Sequence, residues 1–101
     1  MKDTERELYK DVLESWGIAS QMDMAIEECS ELINALCKLR RGRVGPGEVI
    51  TEVADVMIMC EQLACYFGEV NVDAEKDYKF KRLQERLAKW KEKRKLLKAE
   101  P

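Results

Sequence analysis

Glu28 and Glu31 stand three residues apart in "AIEECSELINAL", residues 25–36, and Glu52 and Asp55 repeat that interval in "TEVADVMIMC", residues 51–60. The residues around them are otherwise rich in Ile, Val, Leu, Met and Cys. Residues three apart on a helix point to nearly the same side, so each pair makes a two-pronged oxygen donor. Four converging carboxylates suit a hard divalent cation such as Mg²⁺, Mn²⁺ or Ca²⁺. The chain has no histidine. That removes the commonest general base and the commonest transition-metal ligand. It also argues against di-iron bundles, which use Glu-x-x-His on facing helices.

The surroundings decide how much each pair means. Glu27, Glu31, Asn34 and Lys38 lie roughly opposite the apolar stripe of their segment, and a solvated face accounts for them as well as a site does. Glu28 lies beside that stripe. Glu52 and Asp55 differ, because they share a sector with Met59 and Tyr66 on a segment that is apolar nearly all round. Bare carboxylates there would be costly to desolvate. A cation removes that cost. Arginine pairing is the structural alternative, with Arg40, Arg41 and Arg43 near in sequence.

Four helices must position these groups. Residues 3–15 read as the first, with Leu8, Val12 and Leu13 as its apolar side, and "SWGIAS" breaks it. The second runs from about Ser20 to Arg40, with Met22, Ala25, Ile26, Cys29, Leu32, Ile33 and Leu36 at helical spacing. "RRGRVGPG", residues 40–47, is a loop. The third helix spans about Pro46 to Phe67, with the proline in its first turn and Gly68 after its end. "EVNVD" reads as a connector. The fourth runs from about Asp73 to Leu97 on a stripe of Phe80, Leu83, Leu87, Trp90 and Leu97. No strand, internal repeat or low-complexity tract is evident. An all-α bundle with antiparallel neighbours follows.

At 101 residues the chain is expected to be one domain with a modest core. Val49, Val53, Val56, Cys60, Leu63 and Phe67 form one stripe of the third helix, and Met57, Ile58, Met59, Cys65 and Tyr66 cover most of the rest. So short a chain cannot bury such a helix alone, and a homodimer or homotetramer is expected. No apolar run approaches the roughly 20 residues that span a bilayer, and "MKDTERELYK" has no apolar core of a signal peptide. No membrane partner is expected, and a cytoplasmic location is. Cys29, Cys37, Cys60 and Cys65 form no CxxC pair and read as buried free thiols in a reducing compartment.

Charge is uneven. Residues 1–75 hold 16 acids and 7 bases, whereas residues 76–98 hold 3 acids and 11 bases. A basic last helix is either a solvated face whose lysine stems cover apolar surface or a contact for something anionic.

"EECSE", then twenty residues, then "EVAD" resembles the ExxE…ExxD signature of the MazG-like, all-α nucleoside triphosphate pyrophosphohydrolases. "WGIASQMDMAIEECSELINAL", "EVADVMIMCEQL" and "KFKRLQERL" extend the similarity over about residues 14–90, leaving 91–101 as a basic tail. The resemblance implies a four-helix bundle-type subunit completed by dimerisation, or a dimer of dimers. It implies Mg²⁺-dependent cleavage of a ribo- or deoxyribonucleoside triphosphate to the monophosphate and pyrophosphate, a nucleotide-pool house-cleaning activity, with Mn²⁺ as a substitute metal. By that carry-over Glu28, Glu31, Glu52 and Asp55 hold the metal, and Glu27, extending the motif to EExxE, orients a water or ligand. Lys79 matches a position that in relatives reaches the phosphates, and Arg82 and Arg86 lie on neighbouring turns. Trp16, Gln21 and Asn34 are candidates to stack on or hydrogen-bond a base; for Trp16 a core position is the competing expectation. No GxxxxGK[ST] loop is present, so P-loop chemistry is excluded. No DxDxDG loop supports a Ca²⁺ module. The alternative of another class is a non-catalytic helical protein that binds nucleic acid or an acidic partner through its basic fourth helix. The acidic body weighs against nucleic acid.

Overall fold

A computed structural model describes residues 1–99 as four helices, α1 (Asp3–Trp16), α2 (Ile18–Arg40), α3 (Pro46–Phe67) and α4 (Glu69–Ala99), with no strand among the described residues. The all-α expectation is met. Glu100 and Pro101, the end of the expected basic tail, lie outside the described residues. The chain divides after Gly68 into two compact units, one holding α1–α3 and the other α4.

Local chemistry explains the boundaries. Asp3 and Glu5 place negative charge in the first turn of α1, where the helix dipole favours it. The Glu5 carboxylate accepts the Lys2 backbone N–H at 3.3 Å. Gly17 alone separates α1 from α2. At φ 84° and ψ 156° it occupies a region essentially reserved for glycine, and its N–H donates to the Leu13 carbonyl at 3.0 Å. Arg41 and Arg43 close the end of α2 through backbone bonds to Lys38 and Cys37, with Gly42 at φ 70°. Pro46 opens α3, its missing N–H costing nothing in the first turn. Gly68 ends it at φ 121°. The expected connector at residues 69–73 is instead the start of α4, which follows Gly68 directly.

Within the first unit α2 and α3 form the main pairing, and α1 packs on α3 and, less extensively, on α2. The α2 side chains withdrawn from water are Ile18, Gln21, Ala25, Glu28, Leu32, Ala35 and Leu39, an alternation of three and four residues. This is the spacing of a coiled-coil seam. Across it, Glu52, Asp55, Val56, Met59, Gln62 and Leu63 of α3 are buried or half-buried. The seam is thus turned from the stripe read in the sequence: Ala25 and Leu32 belong to it, but Met22, Ile26, Cys29, Ile33 and Leu36 are exposed.

Those side chains form a second apolar stripe. Ile50, Val53, Met57, Cys60 and Phe67 make its counterpart on α3. Ile26 is 65% exposed, Ile33 63% and Ile50 68%. Met22, Ala25, Ile26, Cys29, Leu63 and Phe67 line a wholly apolar hollow on this face. The thiols follow the same pattern: Cys29, Cys37 and Cys60 are exposed and Cys65 is half-buried, which corrects the expectation that they are buried. On α1 the buried side chain is Tyr9, flanked by half-buried Val12 and Leu13, whereas Leu8 faces out.

Candidate metal centre

Glu28 sits in the α2 seam and Glu31 lies one turn on, at its edge. Glu52 enters from the first turns of α3. Carboxylate oxygens of these three residues lie within 4.8 Å of one another. A short loop joins α2 to α3, and the carboxylates meet across the pairing of these two helices.

The cluster is out of electrostatic balance. Oε2 of Glu28 and Oε2 of Glu52 are both shut off from water and have no hydrogen-bond partner. Loss of hydration raises the pKa of Glu28, and the neighbouring charges of Glu31 and Asp55 raise it further. Glu52 is raised for the same reasons in the same order. Asp55 is half-buried; it acts on both glutamates through its charge and is not one of the three that converge. Arg40, Arg41 and Arg43 are exposed, and no arginine satisfies the two orphaned oxygens.

Such a set fits a divalent cation held by oxygen. Three acid side chains converge, two of them offer an oxygen that no protein donor uses, and no nitrogen or thiolate ligand stands among them. Ligands of this kind suit Mg²⁺ or Mn²⁺. Like-charge repulsion among the acids would become coordination around such a cation.

The remaining candidates are dispersed. Glu27 is exposed beside Glu28 in the chain. Lys79, Arg82 and Arg86 are exposed on α4, which is a unit by itself. Trp16 is 67% exposed at the last position of α1, so the core position expected for it is wrong. Asn34 is exposed. Gln21, in contrast, is only 4% exposed and lies in the seam.

Two polar features went unread in the sequence. The Tyr9 hydroxyl donates to Oε2 of Glu61 at 2.6 Å, tying α1 to α3. Burial, then that hydrogen bond and the charge of Glu61, push the Tyr9 pKa up to about 12. Gln62 is buried with its Oε1 unpartnered. The available signal for the first was a tyrosine three residues from Val12 and four from Leu13, an apolar body with one polar tip that needs a partner.

No family model matches this chain, and neither a curated protein nor a solved structure does.

Proposed function

We propose that the chain is a divalent-metal-dependent nucleoside triphosphate pyrophosphohydrolase that works as a homodimer or a dimer of dimers. The observation that carries this reading is the pair of orphaned, water-excluded carboxylate oxygens of Glu28 and Glu52, set on either side of Glu31. Glu28, Glu31 and Glu52 hold the metal, and Asp55 adds its charge. When bound, Mg²⁺ or Mn²⁺ supplies neutralisation of phosphoryl oxygens and a lowered pKa for water. Glu27, free in solvent, orients a water or takes its proton in place of the missing histidine. The seam, with Ala25, Leu32, Val56 and Met59, keeps bulk water from Oε2 of Glu28 and of Glu52 and so strengthens the charge interactions they make. The cationic charge that a triphosphate also needs would come, by the resemblance, from Lys79, with Arg82 and Arg86 as further candidates. The resemblance of "EECSE" and "EVAD" to the MazG-like signature supports the choice of substrate. A second copy laid on the apolar α2–α3 face supplies the cover that one chain lacks.

The test is a panel of ribo- and deoxyribonucleoside triphosphates with Mg²⁺ in ¹⁸O-labelled water, with products separated. Pyrophosphate and a labelled monophosphate are expected. A diphosphate with free phosphate, or nucleic-acid retention with no turnover, overturns the reading. Glu28→Gln, Glu31→Gln and Glu52→Gln each lower turnover by orders of magnitude, as loss of a ligand from a shared cluster requires. Lys79→Ala lowers it by about 10- to 100-fold, the scale of one charge-assisted contact.

A further inference from the structure

We propose that residues 80–98 of α4 are a docking helix for an acidic amphipathic helix of another protein. Phe80, Leu83, Leu87, Trp90, Arg94 and Leu97 follow one another at intervals of three and four, the seam spacing of a two-helix coiled coil. All six are exposed.

The charges beside the seam are one-sided. Lys79, Arg86 and Lys93 flank it on one side, and Gln84, Lys91 and Lys98 on the other. The two acids of the segment, Glu85 and Glu92, both fall on the opposite face. Self-pairing is therefore disfavoured in either direction. A parallel pair sets Arg86 against Lys91 and Lys93 against Lys98, and an antiparallel pair sets each basic flank against itself. Flanking charges of this kind choose the partner in coiled coils, and here they call for Glu or Asp.

The seam also separates the other anionic candidates. Leu83, Leu87 and Leu97 offer nothing to a phosphate backbone. A bilayer surface favours a broad apolar face, whereas this stripe is the narrow, two-position kind that fits one helix. Arg94 lies within the stripe, its guanidinium carbon 5.1 Å from the centre of the Trp90 ring. Held over the indole, the planar fork presents its donors to a facing carboxylate. Hollows beside the stack are rimmed by Lys93 and Leu97 and by Lys91, Lys95 and Lys98. The occupant is thus a helix apolar along its seam, acidic along both flanks, with one acid opposite Arg94. Nothing here depends on the nucleotide chemistry proposed for Glu28, Glu31 and Glu52.

The test uses the full chain and four probes: a synthetic heptad peptide with Leu in the seam and Glu in the flanks, the same peptide with Lys in the flanks, vesicles rich in phosphatidylglycerol, and a single-stranded oligonucleotide. Titration calorimetry is expected to give a Kd of about micromolar order for the Glu peptide alone. Lys91→Glu with Lys93→Glu, which leaves the apolar seam intact, weakens it by about tenfold or more, and the Glu85→Gln variant on the far face leaves it unchanged. Far-UV circular dichroism confirms that each variant is folded. Equal binding of the two peptides, binding that survives the double charge reversal, or tighter binding of vesicles or oligonucleotide than of the Glu peptide overturns the proposal.

Discussion

Glu28 and Glu52 carry raised pKa values because they lose water and face Glu31 and Asp55. In the unfolded chain both ionise near the ordinary value of 4.5. A folded pKa above the unfolded one gives stability that is complete below that value and is lost as pH rises through the folded one. The metal-free fold therefore weakens as these acids ionise. Glu28→Gln and Glu52→Gln raise the metal-free Tm at neutral pH, and their advantage disappears as pH falls below about 4.5. Mg²⁺ raises the wild-type Tm by binding the folded site alone, and Asp55→Asn, which removes a nearby charge but no converging ligand, makes that rise smaller. Thermal melts at both pH values, with Mg²⁺ and with chelator, read all of these shifts; a wild-type Tm indifferent to the metal refutes the site. Tyr9 gives a separate readout at the alkaline end. Its raised pKa, about 12 against an ordinary 10.0, means that its share of stability is whole below 10 and is lost toward 12. In a spectrophotometric alkaline titration, one phenolate appears only near pH 12, and Tyr9→Phe removes that step.

The helices themselves were legible because their signals are local: Gly17, Gly42, Pro46 and Gly68 mark where the backbone must turn. Gly17 is the sharpest case. Its backbone angles exclude other residues, yet an added Cβ would meet nothing within 4 Å, so substitution costs conformational strain alone. Gly17→Ala lowers stability by about 1–3 kcal/mol. Gly47→Ala, in the first turns of α3 and also in open space, is neutral or adds up to roughly 1 kcal/mol. Urea unfolding of the two variants distinguishes a required glycine from a tolerated one. The facing of α2 was harder to read. Two stripes run along it, Gln21–Ala25–Glu28–Leu32–Ala35–Leu39 inward and Met22–Ile26–Cys29–Ile33–Leu36 outward, and the outward one is the more hydrophobic. Periodicity finds the helix but favours the wrong face when the inner seam contains a glutamine and a glutamate. The same ambiguity let a solvated face account for the Glu28–Glu31 half of the candidate site as well as a metal did. Glu52 and Asp55 announced themselves as acids on an apolar helix, whereas Glu28 reads as a seam residue only once α3 is set beside α2.

An unpartnered apolar surface on α2 and α3 bears on how many chains make the working molecule. Ile26, Ile33, Ile50, Val53, Met57 and Phe67 are all exposed in a single chain. With Met22, Cys29, Leu36 and Cys60, also exposed, they lie at helical spacing on two neighbouring helices, so they form a face and not scattered contacts. Contiguous apolar faces of this sort mark interaction sites, and a face repeated on an identical chain can pair with itself about a two-fold axis. Two α2–α3 pairs brought together this way make a four-helix bundle with the outer stripes at its centre. The prediction is a dimer or larger species at micromolar concentration in sedimentation velocity. Met57→Asp, which places a charge on the expected interface and none in the α2–α3 seam, shifts the protein toward monomer. Its helical circular dichroism persists if the intramolecular seam suffices for folding, and collapses if folding and assembly are coupled. A well-folded wild-type monomer at micromolar concentration refutes the assembly. Lys91→Glu should leave sedimentation unchanged, because its charge lies on α4 and plays no part in the α2–α3 face.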